Sequence, residues 1–305
     1  MEIQRQQPAC HVCGGISLFL MTKDTHPLFR CSACGLVFMH PLPQPQFLKE
    51  KVYSRASGYQ GNKPKDLSTV SALPWWGRLF SQLQTHTRDA RLLDVGCSNG
   101  EFMYAAKAHG YTVTGVELNP ATAEIAQKNG LDVRIGTLDD AAFLPETFDS
   151  IFLGDVIEHV TDPRAFVRTC AQLLSPSGIL VISTPNLDCW WSRATFFLWK
   201  QFGIPWSSVT PPHHTFQFSV DNLHLLVSKE GLTPLLTWYR RAPRLLYELG
   251  SLHFLRRLKK ERSVSAAVAC FLGFFLYTVL YGIDVLITPL KKKDFSMVAL
   301  YKKNA

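Results

Sequence analysis

The 305-residue sequence is short of charge. Asp, Glu, Lys and Arg make up 18% of it against 47% apolar residues, so the chain is a packed globular protein and not a disordered one. Its N-terminus, MEIQRQQPAC, lacks the apolar run that directs a chain through a membrane, and the expectation is a cytoplasmic protein. No internal repeat is visible. Acidic residues are outnumbered 24 to 32, and the formal charge of +8 suits nucleic acid or an anionic membrane. Much of the excess sits late, in Arg256, Arg257, Lys259, Lys260, Arg262 and Lys291 to Lys293, which favours a local contact. The length allows one large core with a small appendage.

In a reducing compartment the eight cysteines are read as ligands or buried thiols rather than disulfides. Cys97, Cys170, Cys189 and Cys270 are scattered, whereas Cys10, Cys13, Cys31 and Cys34 form two CxxC pairs separated by 17 residues. That spacing is a zinc ribbon: four thiolates enclose a tetrahedral Zn²⁺ and let a small hairpin fold without a core of its own. The expected organisation is a ribbon over 1–40, an irregular or weakly helical connector over 41–89, and a large domain over 90–305. The connector is punctuated by Pro41, Pro43 and Pro45 and by turn signals at Gly58, Gly61 and Pro64.

From Arg91 the pattern alternates. RLLDVG, YTVTGVEL, LDVRIG, FDSIFLGDVI and GILVISTPN read as strands, with helices from about Asn99 to His109, from Pro120 to Asn129, and from Asp162–Pro163 to near Leu174. This is a doubly wound α/β pattern. A strand ending in Asp94 that turns through Gly96 and Gly100 into a helix brings backbone N–H groups close to a ligand. Glu117, at the end of the second strand and 21 positions after Gly96, is placed to accept from two ribose hydroxyls, although a plain surface glutamate would also satisfy the sequence. The spacing Gly96, Ser98, Gly100 fits GxGxG better than the GxGxxG of NAD-binding domains.

DVGCSNG resembles the DxGxGxG loop of class I S-adenosylmethionine-dependent methyltransferases, with Ser98 in place of the middle glycine; the resemblance covers about 91–185 and 294–303. It implies a Rossmann-like seven-stranded sheet of order 3-2-1-4-5-7-6. It also implies a cofactor set in which Gly96 and Gly100 flank the methionine part, Asp94 steadies the loop, Glu117 holds the ribose, and Thr137 and Leu138 border the adenine. Cys97, Leu118 and Asp155 complete that set. Relatives often carry aspartate where Thr137 stands. FDSIFLGDVIEHVTDP and LLSPSGILVISTPN resemble strands four and five of the branch that contains ubiquinone-biosynthesis O-methyltransferases. The ribbon with its proline-rich tail resembles the head of bacterial methyltransferases of cell-envelope and natural-product clusters, including sugar C-methyltransferases.

Methyl transfer needs a nucleophile held in line with the sulfonium and often a base to take its proton. Asp155, Glu158 and His159 stand at the carboxyl end of strand four, where open α/β sheets bind ligands, which makes His159 a candidate base with His213 and His214 as further catalytic candidates. Two other readings stay open. Asp155, Glu158 and His159 with His213 or His214 would make a divalent-metal site, a pattern similar to that of small-RNA 2′-O-methyltransferases, or Glu158 and His159 only cap the backbone. The expected reaction is transfer from S-adenosylmethionine to an oxygen, less often a carbon, of a small or lipid-linked acceptor. Sugar C-methylation, RNA methylation and a non-catalytic zinc-bearing interaction protein are the alternatives. Against RNA stand the missing Asn/Asp-Pro-Pro-aromatic and Pro-Cys motifs, so nucleic acid is not the expected partner.

Val264 to Ile283 is an apolar run about as long as the roughly 20 residues that cross a bilayer, within a helical insertion spanning about 244–290. DFSMVALYKK, which follows, reads as the seventh strand, so both ends of the run lie on one side and it does not simply cross. It is expected to lie in the interface, held by flanking cations at the inner face of an anionic membrane, or to pack as a lid. The aromatic stretch over 190–206 is a second contact or the substrate lid. The oligomeric state is left open.

Overall fold

The computed structural model describes residues 3, 6–23, 25–47, 74–87, 91–202, 206, 208–240, 264–287, 290 and 292–304. The expected connector over 41–89 and insertion over 244–290 therefore fall in part, at 48–73, 88–90 and 241–263, outside the described residues.

The cysteine-bearing head is a small antiparallel sheet of β1 (Ser17–Lys23), β2 (His26–Cys31) and β3 (Val37–Met39). The glycine after each CxxC, Gly14 and Gly35, takes a positive φ of 79° and 74°, which turns the chain back over its own sulfurs. This head is not a separate bead: β3 pairs with β9 (Phe216–Gln217), about 180 residues further along the chain, through Val37↔Gln217 and Phe38↔Phe216.

The large domain begins earlier than its first strand. Residues within the expected connector form α1 (Pro74–His86), whose Trp76, Leu79, Phe80 and Leu83 recur at helical spacing and are buried. There follow β4 (Arg91–Val95), α2 (Glu101–Ala108), β5 (Thr112–Glu117), α3 (Pro120–Lys128), β6 (Asp132–Ile135), β7 (Phe148–Gly154), α4 (Pro163–Leu173) and β8 (Leu174–Pro185). Then come α5 (Trp190–Phe202), β9, α6 (Val220–Ser228), β10 (Leu232–Arg240), α7 (Val264–Ile287) and β11 (Ser296–Lys303). Helix starts are chemically marked. Asn119 caps α3 through Ala121 N–H, Asp162 caps α4 through Arg164 and Ala165 N–H, and Ser219 with Asn222 forms a capping box on α6.

The seven-stranded sheet runs β10-β11-β8-β7-β4-β5-β6, with β11 antiparallel between β8 and β10 and the strands β8, β7, β4, β5 and β6 parallel. Read from the first strand of the domain, this is the expected order 3-2-1-4-5-7-6. Alternate residues of the central strands feed two cores, as the two-residue period requires. Leu92, Phe152 and Val181 meet α1, α2 and α3 on one face, while Leu93, Leu153 and Ile182 meet α4, α6 and the cysteine head on the other.

α7 contains the apolar run and packs on α5 through Tyr277, whose ring lies 5.9 Å from that of Trp191. No helix among the described residues is long and apolar enough to cross a membrane.

Phe80 is fully buried and stacks on Phe102 and His109 at 5.5 and 4.3 Å, so α1 is part of the core. Phe80→Ala is expected to cost about 3–5 kcal/mol of unfolding free energy in a urea titration, where a tethering segment would show no measurable loss.

Candidate active site

The first half of the site is the loop leaving β4. Gly96 and Cys97 N–H donate to Val116 O at 2.8 and 3.1 Å, hooking the loop onto β5. Gly96 and Gly100 have φ of 75° and 88°, and a Cβ there would lie 2.6 Å from Val156 Cγ2 and 2.1 Å from Leu131 Cδ1. Only glycine fits both positions. Ser98 between them is also left-handed, at φ 51°.

Glu117 closes this half. Its Oε2 accepts from Ser98 N–H at 2.8 Å and its Oε1 from Asn119 N–H at 2.7 Å. Burial raises its carboxyl above the usual range, against the pull of those N–H groups. Asp94 is 2% exposed, and its Oδ2 has no hydrogen-bond partner among the described residues. Burial first, and then the charge of Glu117, push its carboxyl well up. Burial likewise drives the Cys97 thiol far above its ordinary value, so Cys97 is a space-filling loop residue and no nucleophile. Leu118 is half-buried, Leu138 is turned into the core, and Thr137 is exposed. Thr137 N–H donates to Asp140 Oδ2 at 2.9 Å and Asp140 N–H to Thr137 Oγ1 at 3.1 Å, so a carboxylate three residues on stands beside the position where relatives often carry aspartate.

The second half stands at the end of β7. Asp155 has φ 55°, its N–H donates to Ser183 O at 2.8 Å, and its exposed carboxylate accepts from Ser183 Oγ at 3.2 Å. Glu158 is buried; Oε2 accepts from Thr184 Oγ1 at 2.9 Å, and Oε1 has no hydrogen-bond partner among the described residues. Burial, with Asp155 adding to it, pushes this carboxyl well above its ordinary value.

His159 Nδ1 lies 2.7 Å from the carbonyl oxygen of His213. A carbonyl can only accept, so Nδ1 carries a proton, and in the neutral ring the lone pair is on Nε2. Nε2 is 4.0 Å from Glu158 Oε1, and burial lowers His159 below the ordinary histidine range. The His214 ring stands edge-on to His159 at 4.8 Å; its buried Nδ1 has no hydrogen-bond partner among the described residues, and burial first, then the neighbouring His159, pushes it down to about 3. Glu158, His159 and His214 each offer a ligand atom within 4.8 Å of the others. The structure thus brings His214 to this group, whereas His213 contributes its carbonyl and leaves its ring exposed, and Asp155 stands outside the trio.

Two threonines that sequence reading passed over hold the trio. Thr184 fixes Glu158, and Thr215 Oγ1 donates to the carbonyls of Glu158 and Val160, both at 2.9 Å. Buried Lys23 of β1 donates to the carbonyls of Trp206 and Val209, just upstream of the histidines. Only the folded register of distant strands makes these residues visible.

The four head cysteines are free thiols with sulfurs within 4.8 Å of one another, 3.5 Å for Cys10–Cys34 and 3.4 Å for Cys13–Cys31. Zn–S bonds of about 2.3 Å in a tetrahedron put sulfurs roughly 3.8 Å apart, so the cluster has the right size for Zn²⁺. Val12, Gly15 and Cys34 N–H point at Cys10, Cys13 and Cys31 Sγ at 3.4, 3.3 and 3.4 Å, which favours thiolate charge. The hydrogen bond with Cys34 holds Cys10 down at about 4 while raising Cys34 itself.

The family described as a methyltransferase domain matches residues 71–237. Ubiquinone biosynthesis O-methyltransferases of Xanthomonas campestris and Xylella fastidiosa are 39% and 41% identical over 104 residues, 32% of this chain in both cases. The match spans only 44% and 42% of those curated relatives' own lengths. Among solved structures, an S-adenosylmethionine-dependent methyltransferase from Archaeoglobus fulgidus is 18% identical, with a TM-score of 0.49 over 78% of this chain and 95% of that one. A second, from Mesorhizobium loti, is 15% identical with a TM-score of 0.48, covering 78% and 100%.

Ser98 holds a left-handed conformation that costs a non-glycine residue about 1 kcal/mol, and its Oγ is buried without a hydrogen-bond partner among the described residues. Ser98→Gly, which restores the glycine usual in such loops, is expected to leave thermal stability unchanged or raise it by about 1 kcal/mol. It should also leave cofactor affinity within threefold, read by differential scanning and titration calorimetry; a clear loss of stability would show that the hydroxyl is needed.

Proposed function

The chain belongs to the methyltransferase-domain family, and on that footing we propose that it moves the methyl group of S-adenosylmethionine onto a hydroxyl oxygen of a small acceptor, held between the end of β7 and the turn over 213–215. The cofactor supplies an electrophilic methyl group, and this chain's residues bind, orient and manage a proton. The observation that carries the reading is the pair of adjoining half-sites at the carboxyl ends of β4, β5 and β7. One is a glycine loop tied to a buried glutamate, the other a neutral histidine with a fixed tautomer.

In the first half, Glu117 already spends one lone-pair direction of each oxygen on Ser98 and Asn119 N–H, and the directions left accept from the two ribose hydroxyls. Asp94 Oδ2, buried without a partner, accepts from a donor on the amino-acid part of the cofactor. Gly96 and Gly100, beside Cys97, let the backbone approach, and Leu118, Thr137, the backbone of Leu138 and Asp155 border the nucleoside. In the second half, His159 Nε2 would take the acceptor's hydroxyl proton as the oxygen bonds to the methyl carbon, whose bond to sulfur breaks with the electron pair left on the departing thioether. The His213 carbonyl steadies the resulting imidazolium through Nδ1–H.

A specific observation favours a second reading of the same trio. Glu158 Oε1 and His214 Nδ1 are both buried and without hydrogen-bond partners among the described residues, and His159 Nε2 lies 4.0 Å from Glu158 Oε1. Two imidazoles and one carboxylate fit a divalent metal of the Zn²⁺, Mn²⁺ or Fe²⁺ kind, which would acidify a bound acceptor hydroxyl. The four head cysteines hold a structural Zn²⁺ in either case.

Acceptor screening with labelled S-adenosylmethionine tests the activity. With the acceptor so found, His159→Gln is expected to lower kcat by about 10²–10⁴-fold with cofactor affinity unchanged. Glu117→Ala should instead weaken cofactor binding by tenfold or more. Elemental analysis is expected to give one zinc per chain, lost together with the fold of the head in Cys31→Ser. A second equivalent that disappears in His214→Ala would select the metal reading over the base.

A further inference from the structure

α7 has two unlike faces. Gly273, Tyr277 and Asp284 are buried, with Leu276 and Leu280 half-buried beside them against α5. On the opposite side Val268, Phe271, Phe275, Val279 and Leu286 are 60%, 73%, 55%, 41% and 79% exposed. Their spacing puts them on one side of the helix. The only Asp, Glu, Lys, Arg or His between Val264 and Ile287 is Asp284, and it is buried, so the exposed side carries no charge at neutral pH. Water-facing helices do not present such a side, and this one exceeds the scattered apolar residues ordinary on a surface.

The sequence brackets that helix with cations. Arg256, Arg257, Lys259, Lys260 and Arg262 precede it, with Glu261 the one acid among them, and Lys291, Lys292 and Lys293 follow. Residues 256–262 and Lys291 lie outside the described residues; Lys292 is exposed, and Lys293 is tied to Asp188 at 2.6 Å. An uncharged apolar stripe with positive charge at both ends matches a surface that is apolar within and negative at its rim. A second copy of the chain fits poorly, because either parallel or antiparallel pairing of two such helices sets cations against cations.

We propose that the exposed side of α7 seats this protein on an anionic lipid bilayer, lying in the interface rather than crossing it. Each exposed phenylalanine inserts among the acyl chains while the flanking lysines and arginines meet phosphate headgroups. The position of the helix gives this contact a use, and here the inference rests on the methyl-transfer reading above. The segment leaving α7 enters β11 at the carboxyl end of β8, where Asn186 Nδ2 donates to Asp294 O at 3.0 Å and Ser296 pairs with Pro185. Ser183 and Thr184 of the same strand end hold Asp155 and Glu158. Bilayer contact and candidate active site therefore share one edge of the sheet, so the acceptor class that fits is a hydroxyl carried on a lipid and methylated without leaving the membrane.

The test is flotation of the full-length protein with vesicles of phosphatidylcholine alone and of phosphatidylcholine with 30% phosphatidylglycerol. At least tenfold more protein is expected to float with the anionic vesicles, falling several-fold in 0.5 M NaCl. The double variant Phe271→Glu/Phe275→Glu should lose flotation while keeping its circular dichroism and its calorimetric affinity for S-adenosylmethionine, and Lys292→Glu should lose part of it. Equal flotation with both vesicle types, no flotation, or light scattering showing a stable dimer that the double variant splits would each overturn the proposal. Failure of the methyl-transfer reading shows separately, as absent cofactor binding in the unaltered protein without vesicles.

Discussion

One carbonyl oxygen joins the parts of this molecule. Glu158 O accepts from Thr215 N–H at 2.8 Å, from Phe216 N–H at 3.1 Å and from Thr215 Oγ1 at 2.9 Å. This contact fixes the chain after His213 and His214 against the end of β7, so that His159 finds the His213 carbonyl and the His214 ring. It also presents Phe216 and Gln217 as the strand on which β3 of the cysteine head pairs, with Met39 N–H donating to Thr215 O at 2.9 Å. Sheet, trio and head are thus mechanically continuous.

The same continuity explains why the head contributes to a core not its own. Cys10, Cys31 and Phe38 are buried in the cluster that includes Leu223 and Leu226 of α6 and Leu180 of β8. His11 stands edge-on to both Phe38 and Phe216, at 5.2 and 5.1 Å. Asn222, in the capping box of α6, reaches back to Cys34 O. A ribbon on a flexible stalk would show none of these contacts, and their presence makes the cysteine cluster a wall of the large domain.

Sequence and structure agree where the determinant is local. Alternating apolar residues, the Asp162–Pro163 helix start, and glycines beside cysteines or in the β4 loop each act within a few residues, so strands and helix starts were legible, whereas the strand order came from the family resemblance. The CxxC pairs were legible because ligand spacing is itself local. What escaped depends on distant pairing. α1 reads as weak helix since its propensity is modest and only the cavity beside Phe102 and Phe152 gives Trp76 and Phe80 a place. The choice between His213 and His214 depends on which side of the turn faces Glu158, which two adjacent identical residues cannot announce. Thr184, Thr215 and Lys23 carry no motif, and the carboxylate of Asp140 beside Thr137 becomes apparent only once the turn closes.

The pairing of β3 with β9 imposes an order on how the protein is made. A chain synthesised from its N-terminus delivers the cysteine head first, yet the strand that completes that head, Phe216–Gln217, emerges about 180 residues later. For that interval the nascent head carries an open, apolar sheet edge at Val37, Phe38 and Met39, all buried in the finished molecule. Early capture of a metal by the four thiols would hold the hairpin together while that edge waits for its partner.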